Sequence, residues 1–96
     1  MNSKQRAALR SMASGIEPIF QVCKGSLSEN QIAGIDEALE KRELIKITVL
    51  NNSEETASEL STELATLTGA EVVCVIGHKV VLYKRSTKDG VKHIEL

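Results

Sequence analysis

The chain has 96 residues, of which 42% are hydrophobic and 26% are charged, so it predicts one folded domain with one core and excludes a disordered chain. It has no apolar run of the roughly 20 residues that a membrane helix needs, no signal-peptide pattern and two cysteines, so we expect a cytoplasmic protein without structural disulfides. One Phe, one Tyr and no Trp exclude aromatic stacking as a main means of binding nucleic acid.

The net charge of −1 hides a segregation of charge along the chain. Residues 1–15 carry bases and no acid, residues 51–71 carry acids and no base, and residues 76–92 carry five bases against one acid. This pattern favours one positive side that a polyanion would contact, although short segments also differ in charge by chance.

A first helix is predicted from a cap at Ser3 to about Ser14, with Gly15 in the left-handed position that ends it. Lys4, Arg6 and Arg10 project from this helix. They form either a solvated face or a set of phosphate contacts, and the helix alone does not decide between the two.

Residues 18–50 predict a strand–helix–strand unit, around which the fold is organised. The strands are Pro18–Val22 and Leu44–Leu50, and the short return predicts that they run parallel. The helix between them opens at Ser28, which stands at capping-box spacing from Gln31. The loop 23–26 places a lysine and a glycine at the helix N-terminus, where an anion binds most readily.

A third helix is predicted after a turn at Asn51–Asn52 and a cap at Ser53, with a solvated acidic face that repels nucleic acid. Its core-facing positions are predicted to be Ala57, Leu60, Leu64 and Leu67.

Two apolar runs, Val72–Ile76 and Val80–Tyr83, flank a glycine turn and predict a hairpin. We expect this sheet to be covered by helices on one face and partly shielded on the other. The polar tail 86–96 either adds a short edge strand or frays.

Catalytic and metal-binding patterns are weak. His78 and His93 have no neighbours at ligand spacing, so we expect no metal and no cofactor. Cys23 stands beside Lys24 but has no evident base, and Cys74 alternates with valines as a core residue does. We therefore predict that the chain is not an enzyme, with a thiol enzyme using Cys23 as a minor alternative.

Three stretches together resemble the bacterial YhbY family, single-domain relatives of the CRM RNA-binding domains of plant organelle splicing factors. They are residues 18–25 (PIFQVCKG), 37–46 (EALEKRELIK) and 75–84 (VIGHKVVLYK), and the resemblance extends from Lys4 to Lys84. The family usually has a Gly-x-x-Gly loop after the first strand. Here that loop reads Cys23-Lys24-Gly25-Ser26, so both outer glycines are replaced.

The resemblance implies one CRM-type domain over residues 1–96, of the α/β (α+β, two-layer) class, in the order α-β-α-β-α-β-β. The sheet would be four-stranded and mixed, as in the C-terminal domain of translation initiation factor three. It also implies RNA binding, association with precursors of the large ribosomal subunit, and no catalytic activity.

We therefore expect a monomeric RNA-binding protein that assists ribosome assembly and has ribosomal RNA as its partner. The expected RNA-binding residues are Lys24, Gly25 and Ser26 of the loop, with Lys4, Arg6, Arg10, Arg42, Lys46, Lys84 and Arg85 around them. The alternative is a protein-interaction or regulatory module that pairs through the edge of its hairpin.

Overall fold

The computed structural model describes residues 1–23, 25, 27–50 and 54–95, with side chains in the last range from residue 56 onward. The elements follow the predicted order of helices and strands. They are α1 (Ser3–Ala13), β1 (Phe20–Val22), α2 (Glu29–Arg42), β2 (Leu44–Val49), α3 (Glu54–Thr68), β3 (Glu71–Ile76) and β4 (Lys79–Tyr83). No helix within the described ranges is long and apolar enough to cross a bilayer.

The four strands form one mixed sheet in the order β1-β2-β4-β3. β1 and β2 are parallel, as the short strand–helix–strand unit predicts, and β4 is antiparallel to both of its neighbours. The register between β3 and β4 shifts between Val72 and Cys74, which marks a β-bulge. The strands β1 and β3 therefore form the two edges of the sheet.

Alternation along β2 assigns its residues to the two faces of the sheet. Ile45, Ile47 and Val49 belong to the larger core, beneath α2 and α3. Leu44 belongs to a smaller cluster under α1, with Leu9, Ala13, Val73 and Val81. The α2–α3 layer thus covers one face, and α1 shields part of the other.

The first helix begins one residue earlier than the sequence predicts. Asn2, not Ser3, is the cap: its side chain accepts a hydrogen bond from Gln5 N (2.8 Å), and the Gln5 side chain accepts one from Asn2 N (3.1 Å). This reciprocal pair is a complete capping box. The helix ends through Ser14 in a right-handed conformation, so the prediction of a left-handed Gly15 is wrong.

The cap of α2 is the predicted one, since Ser28 Oγ accepts from Gln31 N (3.1 Å). The Gln31 side chain donates to the Gln21 carbonyl (3.0 Å), which ties the helix to β1. The predicted cap at Ser53 and turn at Asn51–Asn52 lie outside the described residues.

Leu67 does not face the core, and the prediction that it does is wrong. Its side chain is 53% exposed, because the buried stripe of α3 continues from Leu64 to Thr68 instead. Thr68 is buried with its hydroxyl donating to Leu64 O (2.7 Å) and accepting from Ala70 N (3.2 Å). A hydroxyl satisfied in this way can be buried in place of a leucine.

The tail after β4 forms no strand over its described residues, 84–95. It is held instead by two carboxylates at the end of α2. Glu40 accepts from Thr87 N (2.8 Å), and Glu43 accepts from Ser86 N and Ile94 N (both 2.7 Å). We call Glu40 and Glu43 the carboxylate pair.

Candidate nucleic-acid interface

Helix α1 lies across only one end of its face of the sheet. Leu9 and Ala13 pack against the cluster at the start of β2 and the end of β4, and they leave the opposite end uncovered. Ile76, at that end, is 53% exposed. We call this uncovered part the open face; strand alternation and register assign to it Gln21, Lys46, Thr48, Ile76 and Lys79.

Three of the sequence-predicted cations meet beside the open face. Lys46 on β2 pairs with Val81, which in turn pairs with Cys74 on β3, so the three residues form a row across the sheet. Burial raises the pKa of the Cys74 thiol, while the charges of Arg10, Lys46 and Arg6 act against that increase. The thiol thus stays protonated at neutral pH, and the three cations lie close enough to act on it.

The two arginines of α1 differ in their role. The Arg6 guanidinium donates to the carbonyls of Val72 and Val73 (3.1 Å to the latter), at the bulge of the edge strand. Arg10 stands one turn later on the same side of the helix and is exposed, and its side chain has no hydrogen bond or ion pair to any described residue. Lys4 is also exposed, but it stands two residues from Arg6 and therefore on another side of α1.

The predicted loop and the hairpin turn lie at the uncovered end of the sheet. Leu50 N donates to Val22 O (2.8 Å) and Val49 N donates to His78 O (2.7 Å), which brings the end of β1 and the hairpin turn to the end of β2. Gly25 is exposed with φ +80°, a conformation that favours glycine. Lys24 and Ser26 lie outside the described residues, so their roles stay predictions.

The remaining predicted cations are dispersed. Arg42 is exposed at the end of α2 and shares a cleft of about 390 Å³ with Lys46 and Ile94. Lys84 is half-buried between α2 and α3, with Nζ 3.3 Å from Asp36 Oδ1 and donating to Thr68 O (3.0 Å). Arg85 is exposed after β4. The structure therefore brings Arg42 to Lys46, but it places the Lys84 ammonium on the α2–α3 side of the sheet.

Sequence reasoning missed three polar residues of the open face. Gln21, Thr48 and Lys79 are side by side in the register of β1, β2 and β4. Each looks like an ordinary surface residue in the sequence. They become neighbours only when β4 pairs with β2, and this pairing joins residues about 30 positions apart in the sequence.

The described residues contain no group of three or more His, Cys, Asp and Glu side chains that could hold a metal ion. Cys23 and Cys74 are both half-buried and form no disulfide. The arrangement that the structure does offer is a positive surface beside a glycine-containing loop, which suits an anionic ligand that contacts several cations together.

This fold and surface define a class: small α/β domains with a mixed sheet, helices on both faces and a basic open sheet face. The chain belongs to the CRS1/YhbY (CRM) domain family, whose model matches residues 1–84. The family resemblance seen in the sequence is thereby confirmed.

Individual relatives agree with this assignment. The probable RNA-binding protein YqeI of Bacillus subtilis is 45% identical over the whole chain and 98% of its own length. An RNA-binding protein of Haemophilus influenzae is 33% identical, over 90% of this chain and 87% of its own length. The chain is also similar to a solution structure from Staphylococcus aureus, that of the hypothetical protein SAV1595, which is described as a candidate RNA-binding protein. The two chains are 42% identical and superpose with a TM-score of 0.80, over 98% of this chain and 99% of SAV1595. These relatives are named for RNA binding and not for catalysis.

Proposed function

We propose that this chain is an RNA-binding protein that associates with precursors of the large ribosomal subunit and assists their assembly. The observation that carries the RNA-binding part is the convergence of Arg6, Arg10 and Lys46 around Cys74, next to the open face. The names of the relatives support the same ligand. The assembly role rests on the family resemblance.

The proposed binding mode is electrostatic and sequence-independent. Phosphates contact Arg10 and Lys46 on the sheet side and the Lys24–Gly25–Ser26 loop at the N-terminus of α2. Backbone N–H groups and cations at such a helix start suit an anion. Phosphate contacts fix the position of the RNA and carry no sequence information, so selectivity comes from RNA shape.

The alternative, edge pairing by the hairpin with a protein partner, is disfavoured by the edge itself. β3 is the hairpin strand at the sheet edge, and it has a bulge where Arg6 already occupies the carbonyls of Val72 and Val73. A bulge and a bound charge are features that block edge-to-edge pairing. The minor alternative, a thiol enzyme using Cys23, is tested by the rate at which that thiol is alkylated.

The binding mode is tested with Arg10→Gln/Lys46→Gln and a control that removes the same charge elsewhere, Lys41→Gln/Lys92→Gln. Lys41 lies on exposed α2 surface, 3.3 Å from Glu37, and Lys92 lies in the exposed tail. The first variant should lose affinity for a ribosomal RNA fragment about tenfold or more and reduce the slope of log K against log salt by about two. Equal losses in both variants would place the contact outside the open face.

The assembly role needs a separate measurement in cells. Ultraviolet crosslinking of the protein to RNA, followed by mapping of the crosslinks, should yield sites in large-subunit precursors that are depleted in mature subunits. Crosslinks confined to other RNAs would remove the assembly role and leave the RNA-binding proposal intact.

A further inference from the structure

Three polar side chains of different chemistry form a row across the open face. Gln21 pairs with Thr48, and Thr48 pairs with Lys79, so an amide, a hydroxyl and an ammonium are neighbours on three adjacent strands. Same-face neighbours on paired strands have Cβ atoms about 5 Å apart. Gln21 and Lys79 are exposed, and Gln21 and Thr48 line one shallow depression with Pro18, Ile19 and Phe20. We call these three residues the polar row.

We infer that the ligand of the open face is double-helical RNA, which the polar row reads through its ribose 2′-hydroxyls and phosphates. This inference rests on the proposed RNA binding and specifies the kind of RNA. None of the three polar-row residues was among those predicted from the sequence.

The first argument is that the open face has no series of aromatic rings on which a run of unpaired bases could stack. The chain has one Phe, one Tyr and no Trp. The Phe20 ring packs beside Gly34 of α2, on the opposite side of the sheet, and Tyr83 packs into the cluster under α1. Recognition of single strands depends on bases stacked on aromatic side chains or on arginine planes.

The other planar side chains form no row on the sheet, since the exposed Arg10 guanidinium stands on α1 beside the open face and not on a strand. The Arg6 guanidinium is bound to the carbonyls of the edge strand. His78 stands alone at the hairpin turn, and one ring cannot stack a run of bases. Ile76, the exposed apolar residue of the open face, is branched and presents no flat surface.

The second argument is that the polar row has the groups that a duplex requires. An A-form helix displays its 2′-hydroxyls and phosphates along a wide, shallow minor groove, and proteins contact it largely through these groups. A glutamine amide and a threonine hydroxyl can each both donate to and accept from a 2′-hydroxyl. Lys79, with Lys46 and Arg10 nearby, supplies charge for the phosphates that border the groove.

The test compares three probes of one sequence at one salt concentration: an RNA duplex of about 16 base pairs, one of its strands designed to remain unpaired, and the corresponding DNA duplex. The wild-type protein should bind the RNA duplex about tenfold more tightly than the single strand, which lacks stacking partners on the protein. It should also prefer the RNA duplex to the DNA duplex, which has no 2′-hydroxyls.

Thr48→Val tests the polar row with a change of one hydroxyl, and Gln21→Ala repeats the test at an exposed position. Each should weaken binding to the RNA duplex by roughly threefold to tenfold, the value of one or two hydrogen bonds, and leave binding to the DNA duplex unchanged. The matched control is Thr66→Val on α3, whose exposed hydroxyl donates to Thr62 O (3.0 Å) of its own helix.

The outcomes separate this inference from the proposed function. If the single strand binds as tightly as the RNA duplex, or if Thr48→Val and Gln21→Ala weaken RNA and DNA duplexes equally, the inference is overturned while RNA binding stands. If neither RNA probe binds, both the inference and the proposed function fail. Loss confined to the RNA duplex supports the inference.

Discussion

The open face and the carboxylate pair are both charged, but they differ in whether their charged side chains have partners within the fold. The side chains of Lys46, on the open face, and of Arg10, beside it on α1, have no hydrogen bond or ion pair to any described residue. At the end of α2, Glu43 is fully buried, and its carboxylate accepts from Ser86 N, Ile94 N and His93 Nδ1. Charges that hold the fold together are satisfied within it, whereas those of the open face remain available to a ligand.

The environment of Glu43 shows how a buried carboxylate is stabilised. Burial by itself raises the pKa of Glu43, but the hydrogen bonds from His93, Ser86 and Ile94, together with the charge of His93, outweigh it, and the pKa is lowered overall. Glu43 also ends α2 with φ +64°, a conformation that costs a non-glycine residue about 1–3 kcal/mol. The tail contacts are the part of the structure that offsets this strain.

The largest expected effect is the loss of the Glu43 carboxylate. Glu43→Ala leaves the buried N–H of Ser86, the partly buried N–H of Ile94 and the His93 ring without their acceptor. The free energy of unfolding should therefore fall by about 3–5 kcal/mol in urea denaturation. The matched control is Glu37→Ala, which removes an exposed carboxylate of α2 whose partner among the described residues is Lys41. It should cost about 0.5 kcal/mol or less.

A glycine at the same position separates the side chain from the backbone. Glu43→Gly also removes the carboxylate but relieves the positive φ, so it should be more stable than Glu43→Ala by about 1 kcal/mol. If Glu43→Ala and Glu37→Ala were equally stable, the tail would not be held by the carboxylate pair.

Acid should weaken the same region. A group whose pKa is lower in the folded than in the unfolded state stabilises the fold above its unfolded value, and that stability is lost as the pH falls through the folded value. Glu43 has a lowered pKa relative to its ordinary 4.5, and so does Glu40, chiefly through the hydrogen bond from Thr87 N. The free energy of unfolding should therefore decrease as the pH falls below about 4.5, and the decrease should be smaller in Glu43→Gln. An unchanged acid profile in that variant would contradict this account.

The difference between the two regions also explains what the sequence could predict. The strand–helix–strand unit, the hairpin and the Ser28 cap follow from local patterns, and the structure confirms them. The role of Glu43 is invisible locally, because its donors lie about 50 residues away in the tail. The leucine spacing of α3 predicts Leu67 in the core, but Thr68 is buried there instead. The spacing of apolar residues cannot predict this, because the Thr68 hydroxyl is satisfied by a hydrogen bond within its own helix.

The candidate site likewise has some features that the local sequence predicts and others that depend on contacts between distant residues. Local reasoning identifies the loop glycine and the arginines of α1. The structure gives Gly25 a positive φ and leaves the arginines exposed, and their contact with RNA stays a prediction. Charge along the sequence does not reveal that Lys84 pairs with Asp36 on α2, and its contact with RNA stays a prediction. The polar row was missed because it exists only once three strands are aligned.

A smaller expected effect concerns the loop at the N-terminus of α2. Lys24→Ala should weaken RNA binding by a charge-assisted contact, roughly 1–3 kcal/mol, reduce the salt slope by about one and affect different sequences alike. Its unfolding free energy should barely change. Lys88→Ala in the exposed tail is the matched control. If Lys88→Ala lost affinity and Lys24→Ala did not, the RNA site would have to be moved to the tail.

The smallest expected effect tests the orientation of the whole domain. α3 packs on the side of the sheet opposite α1, and Glu59 and Glu63 are exposed on it. An RNA bound at the open face has the sheet between itself and these carboxylates, and water and salt screen charges separated by more than about 10 Å. Glu59→Gln/Glu63→Gln should therefore leave RNA affinity unchanged or raise it slightly, by less than about 0.5 kcal/mol. The measurement is the same salt titration used for Lys24→Ala, with circular dichroism to show that the helix is intact. A large loss of affinity in a folded variant would mean that RNA contacts α3, and the charges of the open face would then need another explanation.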